Sequence, residues 1–369
     1  MPENLIGTTD EMLVNMGPQH PSTHGVLRVA LRLGGEKVLG ADPDIGFLHS
    51  SMEKIAEQLD YRQYVSYTDR FDYLNAMGNE FCYVRAVERL LGIEVTPRCE
   101  YLRVAIVELQ RIISHLLYFG AIGIDTGATT AFVHTFRDRE LIYDLFEWIS
   151  GQRLLYHFFR IGGMRNDLPD GWIETCFKVL DLLPSRFQEF DDLLTGNRIF
   201  VGRTRDVGAI SLEDALQYGL SGPCLRACGL SYDLRKVDGY SVYPEMDFEV
   251  CVEEGGDCLA RHNVRIREMR ESLKIARQAL EKLPEGEVNV PVPRKLKAEG
   301  EVYERIESPR GEVGCFIVAD GSDKPWRMHW RAPSFYNLSA LDLMSKNHWM
   351  ADMVAIIAST DIVLGDVDR

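Results

Sequence analysis

The spacing of apolar residues changes along the chain, and each spacing predicts a different secondary structure. Over residues 26–39, apolar and polar positions alternate in part on both sides of a Gly-Gly pair, which predicts two short strands joined by a turn. Over 100–120, apolar residues recur every three or four positions, while Arg103, Glu108 and Arg111 take the other faces. That period predicts a long amphipathic helix.

Similar patterns continue through the rest of the chain. Further helices are predicted at 50–65, 72–91, 136–151, 172–194 and 259–283. A stretch with two prolines predicts a loop at 285–300. The apolar stretches that follow predict a β-meander at 302–306, 314–319 and 326–330, and a short helix at 350–358.

These elements predict an α+β fold with a helical-bundle body and β pieces from both ends of the chain. We expect an N-terminal β region over 1–50, a helical body over 51–285, and a C-terminal β-meander with a terminal helix and tail over 286–369. The three parts are expected to form one integrated domain. With 369 residues, of which 46% are apolar, the chain is long enough to bury a sizeable core.

The charge balance narrows the range of binding partners. The chain has 41 basic and 56 acidic side chains, a formal net charge of −15. That excess argues against broad binding to nucleic acid or to an anionic membrane, both of which need a basic face. The candidates for a local basic patch are 203–205 and 261–270.

No segment of the sequence predicts a membrane span or an export signal. The longest near-continuous apolar run, 116–124, is far shorter than the ~20 residues of a membrane-spanning helix. The first residues lack the basic and apolar regions of a secretory signal. We expect a cytoplasmic chain that contacts a membrane only through partner chains.

The eight cysteines form no Cys-x-x-Cys pair, which favours reduced, buried thiols in a cytosolic chain. Cys224 and Cys228 have a spacing that suits a metal on one helix face, but the glycines and the proline around them favour a loop. No glycine-rich nucleotide-binding motif follows a predicted strand. The chain itself is therefore not expected to bind NADH or ATP.

The densest group of candidate functional residues lies over 15–25. It contains His20 and His24, and Pro21 excludes an ordinary helix because proline lacks the amide hydrogen and restricts the preceding residue. Two imidazoles on a turn suit proton transfer, metal binding or a hydrogen bond to a ligand carbonyl, and they can equally satisfy local backbone groups. No cysteine or third histidine nearby completes a metal-ligand set. The residues alone do not decide between proton transfer, ligand binding and a purely local role.

Further polar positions have two interpretations each. The segment 67–74 crowds acids and Arg70 beside Tyr73, a pattern that is typical of a capped helix start. Asp125 follows the long apolar helix as either an exposed loop residue or a carboxylate that orients an imidazole. His115, on that helix, is expected to be a satisfied core histidine. The charged end of the chain, 361–369, is expected to be either a frayed tail or part of a site.

Several motifs occur in order from near residue 10 to residue 369. They are Gly17-Pro-Gln-His-Pro-Ser-Thr-His-Gly-Val-Leu-Arg28, Ile45-Gly-Phe-Leu-His49, Asp72-Tyr-Leu74, Phe136-Arg-Asp-Arg-Glu140, Arg160-Ile-Gly-Gly163, Ile266-Arg-Glu-Met-Arg-Glu271, Arg331-Ala-Pro-Ser-Phe335, Asp352-Met-Val-Ala-Ile-Ile-Ala-Ser359 and Gly365-Asp-Val-Asp-Arg369. Together they resemble the D subunit of respiratory complex I, the proton-pumping NADH:quinone oxidoreductase. That family is similar to the large subunit of [NiFe] hydrogenases, but the metal-binding Cys-x-x-Cys pairs of the hydrogenases are absent here.

The resemblance implies a subunit of the peripheral arm, on the cytoplasmic side of the membrane, that is not active alone. It implies a quinone headgroup pocket shared with a neighbouring subunit that holds the terminal [4Fe-4S] cluster; this chain binds no cluster. Two further partners are implied, the C subunit and the membrane subunit at the quinone entrance. By the same resemblance, His24 and Tyr73 bind the quinone headgroup, Asp125 pairs with His24, and Arg70 lies near the cluster.

The residue types suit this chemistry, because quinone reduction needs two electrons and two protons. An imidazole titrates near pH ~6.5, and a carboxylate partner favours its protonated form. The sequence departs from many relatives at Ser50, where they carry an arginine, and at Leu155, where they often carry a histidine linked to the cluster potential. A lower potential and a menaquinone-like acceptor are therefore expected. Three competing functions stay open: a relative of the complex fed by ferredoxin, a [NiFe]-hydrogenase-like enzyme and a purely structural subunit.

Overall fold

The computed structural model describes residues 11–19 and 25–369. Its strands are β1 (Glu11–Met16), β2 (Arg28–Gly34), β3 (Lys37–Asp44), β4 (Phe159–Arg160), β5 (Gly163–Met164), β6 (Glu299–Ser308), β7 (Gly311–Asp320) and β8 (Arg327–Arg331). Its helices are α1 (Met52–Ala56), α2 (Tyr61–Phe71), α3 (Ala76–Leu91), α4 (Pro97–Asp125), α5 (Thr129–Ser150), α6 (Trp172–Phe190), α7 (Arg198–Thr204), α8 (Leu212–Gln217), α9 (Gly222–Arg226), α10 (Leu234–Val237), α11 (Cys258–Glu281), α12 (Pro333–Ser339), α13 (Leu341–Ser345), α14 (Asp352–Thr360) and α15 (Leu364–Asp368). The predicted α+β fold is confirmed.

The N-terminal strands form an antiparallel sheet in the order β1-β2-β3. Along β2, Val29, Leu31 and Leu33 point to one face and are buried, while the residues between them are more exposed. That face packs against α13 and α14, so the start of the chain shares a core with its end. The backbone amide of Ala41 in β3 donates to the Asp342 carboxylate of α13 at 2.9 Å, which fixes the sheet to this helix.

Helix α4 lies at the centre of the helical body and contacts α3, α5, α11 and α14. Its start is set by Thr96, whose hydroxyl accepts from the amide of Cys99 at 3.2 Å, and by Pro97 in the first turn. Among the described residues, α4 is the one helix long and apolar enough to cross a membrane by length and composition. The 18-residue window that meets this test is 89% buried inside the chain, which is typical of a core helix.

The C-terminal strands form an antiparallel meander, β6-β7-β8, that packs on α3. Its largest buried side chain is Trp330, which stacks on Phe71 of α2 with ring centroids 4.9 Å apart. The Trp330 indole also donates to the Tyr64 hydroxyl at 3.1 Å. The predicted meander is confirmed, and it holds α2 in place from the opposite end of the sequence.

Several local predictions were wrong. The segment 67–74 is the end of α2 and the turn after it, because α2 starts at the capping box of Asp60 and Gln63. Cys224 lies inside α9 instead of a loop, since Pro223 fits the first turn of a helix. Arg261, in one of the candidate basic patches, is buried and donates to backbone carbonyls. The tail at 361–369 is buried helix and turn, not frayed chain.

Candidate functional site

Tyr73 lies in the short turn between α2 and α3, and this turn is held from three sides. The Gln110 side chain of α4 donates to the Leu74 carbonyl at 2.8 Å. The Asn79 side chain of α3 donates to the carbonyl of Asp72 at 3.1 Å. The Asp72 carboxylate accepts from the Leu74 amide at 3.1 Å. Tyr73 is 36% exposed although the residues beside it are largely buried, so a fixed turn presents its side chain outwards.

A buried arginine supports the turn from behind. Arg310 lies in the two-residue turn of the β6–β7 hairpin, and its guanidinium points into the interior with no exposed surface. It donates to Asp72 at 2.8 Å and to the Ser114 hydroxyl of α4 at 3.1 Å. The side chain of Asn337 donates to the Arg310 carbonyl at 3.0 Å, which fixes the backbone as well.

Two more carboxyl groups face Arg310 from the C-terminal end of the chain. Asp361, which follows α14 with a left-handed φ of 54°, lies 3.6 Å from Arg310 and 3.7 Å from Arg265. Asp366 in α15 accepts from the Ser334 amide at 2.8 Å. Among the described residues, Asp361 Oδ2 and Asp366 Oδ1 have no hydrogen-bond partner although both are buried. We call Asp72, Arg310, Asp361, Arg265 and Asp366 the inner charge cluster.

The inner charge cluster perturbs its own members and Tyr73. Burial and the charge of Asp72 raise the pKa of the Asp366 carboxyl to about 7. Burial also raises the pKa of Asp72, with Arg310 opposing the shift and Asp361 adding to it. Partial burial and the charge of Asp72 raise the pKa of the Tyr73 phenol, and Arg310 opposes them. Tyr73 therefore stays a neutral hydrogen-bond donor at pH 7.

Asp125 is the last residue of α4 and is half-buried. It lies 15 residues after Gln110, which contacts the Tyr73 turn, and that separation is about 22 Å along the helix axis at ~1.5 Å per residue. The Tyr73 turn therefore contacts the middle of α4, whereas Asp125 lies at its C-terminal end. His20 and His24 lie outside the described residues, so the pairing of His24 with Asp125 stays a prediction.

Arg70 lies on the surface in the last turn of α2, near a second group of charges that includes His157. The backbone amide of His157, with a left-handed φ of 53°, donates to the buried Asp69 carboxylate at 3.0 Å. The next amides, of residues 158 and 159, donate to Glu80. Burial, with Arg160 and Arg70, lowers the pKa of His157 while Asp69 opposes them, so its imidazole is neutral at pH 7. Leu155 is half-buried two residues earlier.

An exposed apolar loop lies between β3 and α1. Ile45 is 40% exposed, Phe47 53% and Leu48 39%. The loop is nevertheless fixed, because its backbone amides at Gly46 and Leu48 donate to the Asp368 carboxylate at 2.8 Å and 2.6 Å. Apolar side chains held outwards by a fixed backbone are typical of a protein–protein interface.

In the described part of the chain, no group of three or more His, Cys, Asp and Glu side chains is placed to hold a metal ion. The eight cysteines are free and buried, as expected. Burial raises the pKa of the Cys258 thiol, and Arg261 opposes the shift. A buried thiol of this kind is a poor metal ligand because the thiolate form is suppressed.

A large buried ion-pair network was missed by reading the spacing alone. Arg103, Glu108 and Arg111 were placed on outer faces of α4, but all three are buried because other elements surround this helix. Arg226 pairs with Glu268 at 2.6 Å and Glu307 at 2.7 Å, from three different elements. His115 is a core histidine, as predicted: it is fully buried and its Nε2 contacts Glu268 at 3.0 Å, although Nδ1 has no hydrogen-bond partner among the described residues. The signal that the sequence does contain is the spacing of Glu108, Arg111 and His115, which recur three and four residues apart and so share one face of the helix.

Comparison with known proteins gives consistent matches. A family model described as the 49 kDa subunit of the respiratory-chain NADH dehydrogenase matches residues 125–297 and 292–369. The chain is 50% identical over 361 residues to the D subunit of the NADH-quinone oxidoreductase of Desulforamulus reducens, covering 98% of this chain and 99% of that protein. It is 49% identical over 362 residues to the protein of the same name from Geobacillus kaustophilus, with the same coverage.

Proposed function

Because the chain belongs to the family of the 49 kDa subunit of respiratory-chain NADH dehydrogenase, we propose that its Tyr73 turn forms one wall of a quinone headgroup pocket. The chain is a subunit of an NADH-quinone oxidoreductase, an enzyme complex of several subunits. The observation that carries the proposal is the exposed Tyr73 phenol on a turn fixed by α3, α4 and Arg310. A rigid donor suits a ligand carbonyl, since little ordering is needed when the ligand binds.

His24 and Asp125 supply the second donor in this proposal. A neutral or protonated His24 donates to the other quinone carbonyl, and Asp125 orients its ring and favours the protonated form. Asp125 is the last residue of α4, where the helix dipole disfavours a negative charge, and a protonated His24 beside it would offset that cost. The two donors then provide the two protons that quinone reduction consumes.

The electrons come from the neighbouring subunit, whose [4Fe-4S] cluster supplies one-electron transfer when the subunits are assembled. Arg70 lies at the edge of that contact in the proposal, and the exposed loop at 45–48 packs against the neighbouring subunit. Both features are fixed parts of this chain's surface. The C subunit and the membrane subunit at the quinone entrance are two further proposed partners, with the chain on the cytoplasmic side of the membrane.

The electron input lies on other polypeptides, so an input from ferredoxin instead of NADH is the second candidate. It shares the site residues of this chain and differs only in the modules that co-purify. Subunits with an NADH site in the purified complex support the first candidate, and their absence supports the second. The quinone type, a menaquinone or a ubiquinone, is decided by extracting the bound quinone from the same preparation.

The test is quinone reductase activity of the complex assembled with Tyr73→Phe, His24→Ala or Asp125→Asn. We expect losses of roughly 10-fold to 100-fold in kcat for each, since each removes a proton donor or its orienting group. Tyr218→Phe is the matched control, because Tyr218 is 39% exposed and follows α8, away from the Tyr73 turn. Full activity of both Tyr73→Phe and His24→Ala in an assembled complex would refute the proposal.

A further inference from the structure

The inner charge cluster contains an imbalance that the proposed function does not use. It has three carboxyl groups, Asp72, Asp361 and Asp366, and two guanidinium groups, Arg310 and Arg265. Asp366, Arg310 and Arg265 have no exposed surface, and Asp72 and Asp361 are 2% and 5% exposed. If all five groups were ionised, one negative charge would remain uncompensated in the interior. Isolated buried charges of this kind are expensive, so a retained proton is the lower-energy state.

The hydrogen bonds and ion pairs indicate which carboxyl group keeps that proton. Asp361 lies between the two guanidinium groups, 3.6 Å from Arg310 and 3.7 Å from Arg265, so this carboxyl group faces a cation on each side. Asp72 has one direct ion pair, to Arg310 at 2.8 Å. Asp366 has none among the described residues and accepts from Ser334. Its second oxygen, buried and without a partner in the same part of the chain, is the position where a proton costs least.

The elements packed around Asp366 carry few other charged groups. Helix α12, which packs against α15, offers Ser334 and no charged side chain. The end of α2 offers Asp69, Arg70 and Tyr73 in addition to Asp72. The other charged groups are Arg310 from the β6–β7 turn, Asp361 from the end of α14, Arg265 from α11, Asp368 on α15 itself and Arg369, whose guanidinium lies over Phe335 of α12.

We propose that Asp366 retains a proton in the inner charge cluster behind Tyr73, and that this proton keeps the neighbouring interior neutral while Tyr73 passes its own proton to the quinone. The inference rests on the proposed role of Tyr73. In that step the O–H bond of Tyr73 breaks and an O–H bond forms on an oxygen of the quinone, which takes its electrons from the neighbouring iron–sulfur cluster. The phenolate that remains regains a proton from water. An ionised Asp366 behind Tyr73 would repel the phenolate and so oppose its formation.

Asp366 is thus a positioning residue, and the first test detects its proton directly. Infrared spectra of the assembled complex, recorded as a pH titration without turnover, are expected to contain the carbonyl stretch of a protonated carboxyl group. The band should disappear as the pH rises through neutrality and should be missing in Asp366→Asn. Asp366→Glu, which keeps the carboxyl, should retain it. A wild-type spectrum without the band, or a band unchanged in Asp366→Asn, would overturn the proposal.

The second test is the pH profile of quinone reduction. Wild-type kcat is expected to fall above neutral pH, and Asp366→Asn, neutral at every pH, should keep a fraction of its rate at pH 8.5 that is higher by roughly 3-fold to 10-fold. Asp320→Asn is the control, because Asp320 is an exposed aspartate at the end of β7. An Asp366→Asn profile identical to wild type would also overturn the proposal. If Tyr73→Phe were fully active, the proposed function would fail, and the infrared titration would still decide whether Asp366 retains its proton.

Discussion

Arg103 and Glu88 form a bidentate ion pair that is almost fully buried between α3 and α4. The guanidinium donates to the two carboxylate oxygens at 2.9 Å and 2.7 Å. It also donates to the backbone carbonyls of Arg160 and Gly163, each at 2.9 Å, and Glu88 accepts from the Gly162 amide at 2.8 Å. The pair therefore fastens the Gly-Gly turn at 162–163 to the two central helices.

Breaking this pair should be costly. Glu88→Gln leaves the Arg103 charge buried without its partner, and we expect a loss of about 3–5 kcal/mol in the free energy of unfolding. Urea unfolding of the purified chain measures the loss. Arg153→Ala is the control, because the Arg153 ion pairs are exposed and contribute little. A loss below ~1 kcal/mol for Glu88→Gln would show that the pair is not holding the turn.

Next to Arg310, the backbones of Gly222 and Gly311 lie so close together that neither residue could carry a side chain. Gly222 and Gly311 both have positive φ, and a Cβ on Gly222 would lie 2.4 Å from the Cα of Gly311. We expect Gly311→Ala to destabilise the chain by more than about 2 kcal/mol and to reduce quinone reduction by moving Arg310 away from Asp72. Gly202→Ala, in open space on α7, should instead stabilise by ~0.5–1 kcal/mol. Thermal unfolding and activity of the assembled complex check both expectations.

His262 predicts part of the acid sensitivity of the chain. Burial and then Arg265 lower the pKa of this imidazole to about 3, and it packs against Phe119 and Phe200. The unfolded chain binds a proton here below pH ~6.5 and the folded chain does not, so stability falls as the pH drops below that value. At pH 5 the loss from this residue is about 2 kcal/mol. His262→Phe should reduce the difference in unfolding free energy between pH 7 and pH 5; an unchanged difference would contradict the assignment.

Two side chains near Arg70 bear on the proposed neighbouring cluster. Leu155 has no group that titrates, and burial, with Arg160 and Arg70, lowers the pKa of His157, which opposes its protonation when the cluster is reduced. We expect a cluster potential that changes by far less than the roughly 59 mV per pH unit of a one-proton, one-electron couple. Leu155→His should introduce a slope. Redox titration by electron paramagnetic resonance at several pH values measures it, and a steep slope in the wild-type complex would refute the expectation.

The secondary-structure elements that were predicted are those with a clear apolar pattern within their own residues. Helix α4 was found because its apolar residues keep a period near 3.6, and the meander was found because strands alternate between turns. The end of α2 was mistaken for a helix start because the acidic residues of this turn are of the same types as those that cap helix N-termini. The charged residues of α4 were placed only on the faces opposite its apolar stripe, and their burial was not foreseen because their partners, such as Glu307, are far away in sequence.

Only those site residues that lie in a recognisable sequence motif were predicted. Tyr73, Arg70 and Asp125 came from the resemblance, because no periodicity distinguishes them from ordinary polar residues. Arg310 and Asp366 were not found, since they meet Asp72 from a hairpin turn and from the last helix, and only the folded chain brings these segments together.

The contact of Asp368 with the loop at 46–48 has a consequence for folding order. The two segments are 320 residues or more apart, so the loop cannot be fixed until nearly the whole chain has left the ribosome. Contacts between such distant segments form slowly, because the chain loses conformational entropy in bringing them together before the contacts contribute any stability. During synthesis the exposed Phe47 is therefore on an untethered segment, which is when a chaperone or the neighbouring subunit has the longest access to it.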